Sequence, residues 1–131
     1  MKILIAEDDF TSRSILLRML GEWGECEVAV DGEEALTVFK ESFGTSEAYQ
    51  LLCLDIMMPK LSGQEVLQKI RAFEKLNSVK PEDSVKVIMT TALGDSETVI
   101  DAFKNGCESY VVKPIAKQLL FEEIKRLGFE A

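Results

Sequence analysis

The amino-acid sequence predicts an α/β fold built on a doubly wound, five-stranded parallel sheet with helices on both faces. Strand-like runs alternate five times with segments whose apolar residues recur at helical spacing. The first, third and fourth runs are almost continuously apolar, which is typical of parallel strands that are buried on both sides. Right-handed crossovers would then join the five strand–helix units into one sheet.

The strands are placed by the apolar runs and by the polar segments that separate them. Long polar loops precede the third and fourth runs, and an acidic or polar residue follows most of the runs. The predicted strands are residues 2–6, 25–30, 49–54, 85–89 and 109–112.

Each segment between strands carries an apolar stripe at a spacing of about 3.6 residues, so five helices are predicted. Asp31 is expected to cap the second helix, with Glu34 at its third position, and Gly106 is expected to follow the end of the fourth. Phe121 falls off the stripe of the fifth helix and is expected to be exposed. The five stripes are Leu16, Met19, Leu20 and Trp23; Ala35, Val38 and Phe39; Val66, Leu67, Ile70 and Phe73; Val99, Ile100 and Phe103; and Leu119, Leu120, Ile124 and Leu127.

Length and composition indicate one cytoplasmic domain spanning residues 1–131. The net charge of −8 argues against nucleic-acid binding, and no apolar run is long enough for a membrane span. The first strand begins at the N-terminus without a signal peptide, and the three cysteines lack a CxxC spacing, which favours reduced thiols. The chain has no histidine, so any phosphohistidine must come from another protein.

Acidic residues follow two of the predicted strands at the point where each strand ends. Glu7 and Asp8 follow the first strand, and Asp55 follows the third. Because the carboxyl ends of parallel strands meet at one edge of a sheet, these side chains should converge there. Carboxylate oxygens suit a hard cation such as Mg²⁺ or Ca²⁺. Thr91 and Lys113 follow the fourth and fifth strands and should join the same edge.

These strand-end residues belong to five short motifs whose order and spacing resemble one known family. The motifs are Glu7-Asp8-Asp9, the segment from Asp55 to Gly63, Thr90-Thr91-Ala92, Tyr110, and Lys113-Pro114. Together they resemble the receiver domain of two-component response regulators over essentially the full length. The resemblance implies a flavodoxin-like (βα)5 fold with strand order 2-1-3-4-5, and a phosphoryl group received from a sensor histidine kinase or a phosphotransfer protein.

The resemblance also implies roles for the residues at the sheet edge. Asp55 would accept the phosphoryl group as a nucleophile and form an acyl phosphate. Mg²⁺, with Mn²⁺ as a substitute, would be held by Asp8 and Asp55 directly, by Glu7 through water, and by the backbone carbonyl of Met57. Lys113 would offset the negative charge of the phosphoryl group.

Three acidic residues run together after the first strand, and the position of Arg13 selects two of them. In the family, an arginine of the first helix lies five residues beyond the second acid of the pair. This spacing assigns Glu7 and Asp8 to the pair. Asp9 is left to stabilise the N-terminus of the first helix through its dipole.

Two further positions match residues that change conformation in the family. Thr91 would bind a phosphoryl oxygen and move inward, which would free space for the ring of Tyr110 to turn in. The output surface would be formed by the fourth helix, the fifth strand and the fifth helix, with Phe121 as an exposed contact for an unknown partner. A cis peptide bond is implied between Lys113 and Pro114.

The lifetime of the acyl phosphate is expected to depend on two apolar side chains. Met57 and Leu93 occupy the positions that border the approach of water to phosphorus in the family. Neither side chain can orient an attacking water by hydrogen bonding, so slow self-hydrolysis is expected.

Three alternative functions remain open for this fold. A flavodoxin-type cofactor domain would carry a glycine- and hydroxyl-rich phosphate cradle where this chain has Glu7 and its acidic neighbours. A Mg²⁺-dependent aspartyl-phosphate phosphohydrolase would need a general acid at Met57. A binding module that is never phosphorylated would be expected to lack Asp55, Lys113 or Thr91. The residues favour a signalling switch, not an enzyme, that catalyses only its own phosphorylation and dephosphorylation.

Overall fold

The computed structural model describes residues 1–92 and 96–131 of the chain. Strands and helices alternate through these ranges, as the sequence predicts. In chain order the elements are β1 (Lys2–Ala6), α1 (Phe10–Leu20), β2 (Glu25–Ala29), α2 (Gly32–Ser42), β3 (Leu51–Asp55), α3 (Gly63–Leu76), a short 3-10 helix (Pro81–Asp83), β4 (Lys86–Thr91), α4 (Ser96–Lys104), β5 (Ser109–Val112) and α5 (Lys117–Arg126).

The strands form one parallel sheet in the order β2-β1-β3-β4-β5, which confirms the predicted fold class and strand order. β1 and β3 are neighbours, and Ala6 pairs in register with Leu54. The residues that follow this pair, Glu7 and Asp55, therefore lie side by side at the carboxyl edge of the sheet. β2 and β5 form the two lateral edges.

Two apolar clusters cover the two faces of the sheet. Because side chains alternate along a strand, Ile3 and Ile5 of β1 enter one cluster, whereas Leu4 and Ala6 enter the other. The first cluster lies beneath α1 and α5, and the second lies beneath α2 and α3. Every residue of β3 is buried, which explains its continuous apolar sequence.

Three strand boundaries differ from the prediction, because hydrogen bonding with the neighbouring strand decides where each strand begins and ends. The third strand runs over Leu51–Asp55, not 49–54, and the fourth over Lys86–Thr91, not 85–89. The ladder between them continues through the pair of Asp55 and Thr90, and the Ile56 N–H donates to the Thr90 carbonyl oxygen at 3.0 Å. β2 ends one residue early, at Ala29.

The caps at Asp31 and Gly106 agree with the sequence prediction, and Asp9, predicted to stabilise the start of α1 through its dipole, is also a cap. Asp9 is the N-cap of α1 and accepts a hydrogen bond from the Ser12 N–H at 2.9 Å. Asp31 caps α2 in the same way, with the Glu34 N–H as donor at 2.8 Å. Gly106 follows α4 with a φ of +103°, a conformation that glycine adopts readily.

The expected exposure of Phe121 is wrong. Phe121 is half-buried, and its ring meets the buried ring of Trp23 edge-on at a centroid distance of 5.4 Å. Leu120 and Ile124 are the buried residues of α5 and define the face that packs on the sheet. Phe121 lies beside that face and packs against Trp23, which follows α1. Leu119, assigned to the apolar stripe, is 59% exposed.

The predicted stripe of α4 is also wrong in part. Ala102 is its buried residue, whereas Ile100 and Phe103 are exposed and Val99 is half-buried. The small side chain of Ala102 lets this turn of the helix lie close to the core while the larger side chains remain outside. Among the described residues, no helix is long and apolar enough to cross a membrane.

Candidate functional site

Three carboxylates converge at the carboxyl edge of the sheet, where β1 and β3 end. Glu7, Asp8 and Asp55 each offer one oxygen, and these oxygens lie within 4.8 Å of one another. Glu7 and Asp55 are buried, whereas Asp8 is exposed. The structure therefore brings together the three acids that the sequence predicts. An all-oxygen donor set open to solvent on one side is chemically suited to Mg²⁺.

Lys113 supplies the positive charge of the cluster. Its Nζ lies 2.6 Å from Oε1 of Glu7 and 3.2 Å from Oδ2 of Asp55. The contact with Asp55 has hydrogen-bond geometry, whereas the shorter contact with Glu7 is an ion pair without it. The sequence predicts the pairing with Asp55, but it gives no sign that Glu7 is the nearer partner.

Burial and charge act in opposite directions at this site. Burial raises the pKa of the Glu7 carboxyl, and the neighbouring Lys113 ammonium only partly opposes that rise. Burial alone would lower the pKa of Lys113, but Glu7 and Asp55 outweigh it and raise that pKa. Three acids share one lysine here, so the site has an excess of negative charge that a divalent cation would relieve. This excess and the oxygen donor set fit a magnesium ion.

Backbone contacts fix the acidic segment after β1. Arg13 of α1 donates from Nη1 to the backbone carbonyl oxygens of Glu7 and Asp8, at 3.1 and 3.3 Å. The Asp9 N–H donates to Oε2 of Glu7 at 3.2 Å. Arg13 therefore holds the backbone of Glu7 and Asp8, whereas the Asp9 side chain caps α1.

The nucleophile candidate is held by the loop that joins β3 to α3. The Met57 N–H donates to Oδ1 of Asp55 at 3.3 Å, and the Met57 side chain is exposed. Gly63 donates its N–H to the Ile56 carbonyl oxygen at 2.8 Å, and a Cβ on Gly63 would lie 2.2 Å from the Asp55 carbonyl oxygen. Only glycine lets the backbone of α3 come this close to Asp55.

Thr91 and Tyr110 lie on neighbouring strands, where Thr91 pairs with Val112 and Tyr110 pairs with Met89. Thr91 is the buried last residue of β4, and its carbonyl oxygen accepts from the Lys113 N–H at 2.7 Å. Tyr110 of β5 is 38% exposed, with its ring edge-on to Phe103 of α4 at 6.0 Å. Leu93 lies outside the described residues. The peptide bond between Lys113 and Pro114 is cis, as the resemblance implies.

A groove of about 360 Å³ opens beside Tyr110, between α4, β5 and α5. Its walls include Phe103, Val112 and Leu119, and Arg126 lies at the side of α5. Phe103 and Leu119, two members of the predicted helix stripes that are exposed in the structure, therefore lie in this groove. This is the surface that the sequence assigns to output, although Leu119 takes the place predicted for Phe121.

Thr90 is a residue of the site that the sequence reasoning missed. It pairs in register with Asp55, and it is only 1% exposed. Its Oγ1 has no hydrogen-bond partner among the described residues. The alternation of side chains along β4 and β3 is the signal that places Thr90 on the same face as Asp55.

Comparison with known proteins points to one family. The family model described as the response regulator receiver domain matches residues 3–125. A probable transcriptional regulator, ycf27, of Cyanophora paradoxa is 39% identical over 127 residues, which cover 96% of this chain and 47% of that protein. The chain spans about half the length of most of the curated relatives it matches.

Two examples illustrate the similarity of the fold to solved structures. One is the co-crystal structure of the Saccharomyces cerevisiae histidine phosphotransfer signaling protein Ypd1 and the receiver domain of its downstream response regulator Ssk1. The matched chain is 28% identical with a TM-score of 0.84, and the match covers 98% of this chain and 88% of that one. The other is the CheX-CheY complex with BeF3 and Mg²⁺ from Borrelia burgdorferi, 26% identical with a TM-score of 0.82 and with 98% and 90% covered.

Proposed function

Because the chain belongs to the response regulator receiver domain family, we propose that it is a two-component signalling switch that accepts a phosphoryl group on Asp55. One observation carries the assignment. Asp55 is a buried carboxylate at a strand end, next to the acids Glu7 and Asp8 and in contact with the Lys113 ammonium. A buried carboxylate in this setting is suited to chemistry rather than to stability.

The metal site would use the oxygens that converge around Asp55. Asp8 and Asp55 would bind Mg²⁺ directly, Glu7 through water, and Met57 through its backbone carbonyl, with Mn²⁺ as a substitute. When bound, the ion neutralises charge that the carboxylates and the incoming phosphoryl group would otherwise concentrate in one place. Burial raises the pKa of the Glu7 carboxyl, and the neighbouring Asp55 carboxylate adds to that rise. A cation at this point would favour the ionised form of Glu7, which is in keeping with the proposal.

The phosphoryl group would come from a phosphohistidine on a partner protein, since this chain has no histidine. An oxygen of the Asp55 carboxylate attacks phosphorus, the P–N bond breaks, and its electron pair returns to the imidazole of the partner. The product is an acyl phosphate. The Lys113 ammonium lies 3.2 Å from Asp55 before the reaction. It is therefore close enough to offset the negative charge of the phosphoryl group after transfer. The chain would catalyse this step and the later hydrolysis only on itself.

The donor would be a sensor histidine kinase or a phosphotransfer protein. The likeness to a receiver domain crystallised with the phosphotransfer protein Ypd1 supports such a partner. Asp8 and the Met57 side chain are both exposed, so a partner protein can reach the site from that side.

The output signal would pass from Thr91 to Tyr110. Met89 pairs with Tyr110 and Thr91 pairs with Val112, so the side chains of Thr91 and Tyr110 lie on the same face of adjacent strands. Tyr110 also contacts Phe103 of α4. An inward movement of Thr91 towards a phosphoryl group would therefore be felt by Tyr110 and by the groove between α4, β5 and α5. We place the unknown output partner on this surface.

The proposal is tested by labelling the purified protein with a small phosphoryl donor. Acetyl phosphate with Mg²⁺ should add one phosphoryl group to the parent protein and none to Asp55→Asn. Asp9→Asn is the matched control, since asparagine also caps helices and Asp9 lies outside the proposed ligands. Equal labelling of Asp55→Asn and the parent would show that Asp55 is not the acceptor.

A further inference from the structure

A buried hydroxyl without a hydrogen-bond partner lies beside the proposed phosphorylation site. Thr90 is 1% exposed, and its Oγ1 finds no partner within the described ranges, residues 1–92 and 96–131. A buried polar group that makes no hydrogen bond costs free energy, and a valine would fill the same space without that cost. The hydroxyl therefore calls for an explanation beyond packing.

The sheet places this hydroxyl in the row of side chains that forms the site. Thr90 pairs with Asp55 on one side and with Val111 on the other. Alternation along β4 and β5 puts Thr90 and Lys113 on the same face, because Ile88 and Val111 both belong to the cluster beneath α1 and α5.

The side chain of Lys113 reaches across the carboxyl end of β4, the strand that carries Thr90. Lys113 follows β5, whereas its partners Asp55 and Glu7 stand at the ends of β3 and β1. β4 lies between β5 and β3 in the sheet. The path of the lysine towards its partners therefore spans the end of β4, where Thr90 is the buried residue on that face.

We infer that Thr90 is a positioning residue that holds the Lys113 ammonium when the site carries its phosphoryl group. An ammonium has three N–H donors, and in this structure it faces the carboxylates of Glu7 and Asp55. Once the Asp55 oxygens are bound to phosphorus and metal, the ammonium needs a new set of acceptors. The Thr90 hydroxyl then accepts one N–H, and the phosphoryl oxygens accept the others. This inference rests on the proposed function.

A matched set of variants separates this role from packing. Thr90→Val removes the hydroxyl and keeps the branched shape, whereas Thr90→Ser keeps the hydroxyl and loses a methyl group. Ile88→Val, two residues earlier on the same face of β4, is the packing control. The measurements are the initial rate of labelling by acetyl phosphate with Mg²⁺, and the melting temperature of the metal-free protein.

Thr90→Val should label roughly tenfold more slowly, because it loses one hydrogen bond to a charged group. Its melting temperature without metal should equal or exceed that of the parent, since an unpaired buried hydroxyl is removed. Thr90→Ser and Ile88→Val should label at close to the parent rate. Slower labelling together with undiminished stability is a combination that a purely structural role would not give.

A double-mutant cycle tests whether Thr90 acts through the lysine. The rise in melting temperature caused by Mg²⁺ and beryllofluoride, a phosphoryl mimic, should fall in Thr90→Val, but Thr90→Val should cause no further fall in a Lys113→Met background. Three outcomes overturn the inference and leave the proposed function standing. They are a parent-like labelling rate in Thr90→Val, equal slowing in Thr90→Ser, and a Thr90→Val substitution that lowers the ligand-induced rise in melting temperature as much in the Lys113→Met background as in the parent. A parent protein that takes up no phosphoryl group overturns both.

Discussion

Replacing Lys113 with methionine should destabilise the metal-free protein strongly, because two buried carboxylates lose their shared positive charge. Glu7 is 0% and Asp55 4% exposed, and the ammonium lies 2.6 and 3.2 Å from them. Removing one partner of a buried ion pair costs about 3–5 kcal/mol. The Lys113 side chain is 21% exposed, which places the expected loss near the lower end, about 3 kcal/mol. The melting temperature should fall by roughly 10 °C.

Magnesium should reduce this loss, because the ion would place positive charge on the same carboxylates. The assay is urea unfolding of the parent and Lys113→Met, each with and without saturating Mg²⁺. Lys117→Met is the control: Lys117 pairs with Glu22 at 2.7 Å, but both side chains are more than half exposed. It should cost less than about 1 kcal/mol, with the same result in Mg²⁺.

Two outcomes would refute this account of the cluster. A loss below about 1 kcal/mol in Lys113→Met would mean that the carboxylates do not depend on the ammonium when the metal is absent. An equal loss with and without Mg²⁺ would mean that the ion does not share the oxygens of Glu7 and Asp55 with the lysine.

Three further predictions concern single residues. Asp8→Ala should abolish the rise in melting temperature that Mg²⁺ causes in the parent, and an unchanged rise would exclude Asp8 as a ligand. Met57→Asn and Leu93→Glu should each speed the decay of the purified phosphoprotein in Mg²⁺ several-fold, about the effect of orienting one water; decay at the parent rate would show that these side chains do not set the lifetime. Tyr49→Phe should lower the free energy of unfolding by about 1 kcal/mol at pH 7, since Tyr49 donates to Glu27 at 2.6 Å. That hydrogen bond is the largest cause of the lowered pKa of Glu27. The difference in unfolding free energy between Tyr49→Phe and the parent should therefore disappear as the pH falls through this lowered pKa and Glu27 becomes protonated. A difference in unfolding free energy that persists in acid would contradict this prediction.

The positions of residues at strand ends allowed most of the site to be predicted from the sequence. Glu7, Asp8 and Asp55 each follow or end an apolar run, and a parallel sheet necessarily gathers such residues at one edge. Strand order was accessible only through the resemblance, since the alternation of strands and helices does not fix which strands are neighbours.

The features that could not be predicted depend on the direction of single side chains. Successive residues on a helix point about 100° apart, so the apolar spacing of α5 could not decide whether Leu119 or Phe121 turns towards the core. The position of Trp23 beyond the end of α1 decided it. The nearer pairing of Lys113 with Glu7 depends on the path of a long side chain across β4, which no sequence pattern records.

The open edge at β2 bears on whether copies of the protein could pair strand to strand. An edge strand offers unpaired backbone groups to any other strand. Val28 of β2 and Val30, just after its end, add exposed apolar surface at this edge. β2 is only five residues long and carries the exposed acids Glu25 and Glu27. Lys2 pairs with both of these acids and also with Glu47, so one lysine faces three acids at this edge. Two molecules aligned edge to edge would bring the remaining negative charge together. The short length and the acids of β2 therefore disfavour the addition of a further strand at this edge of the sheet.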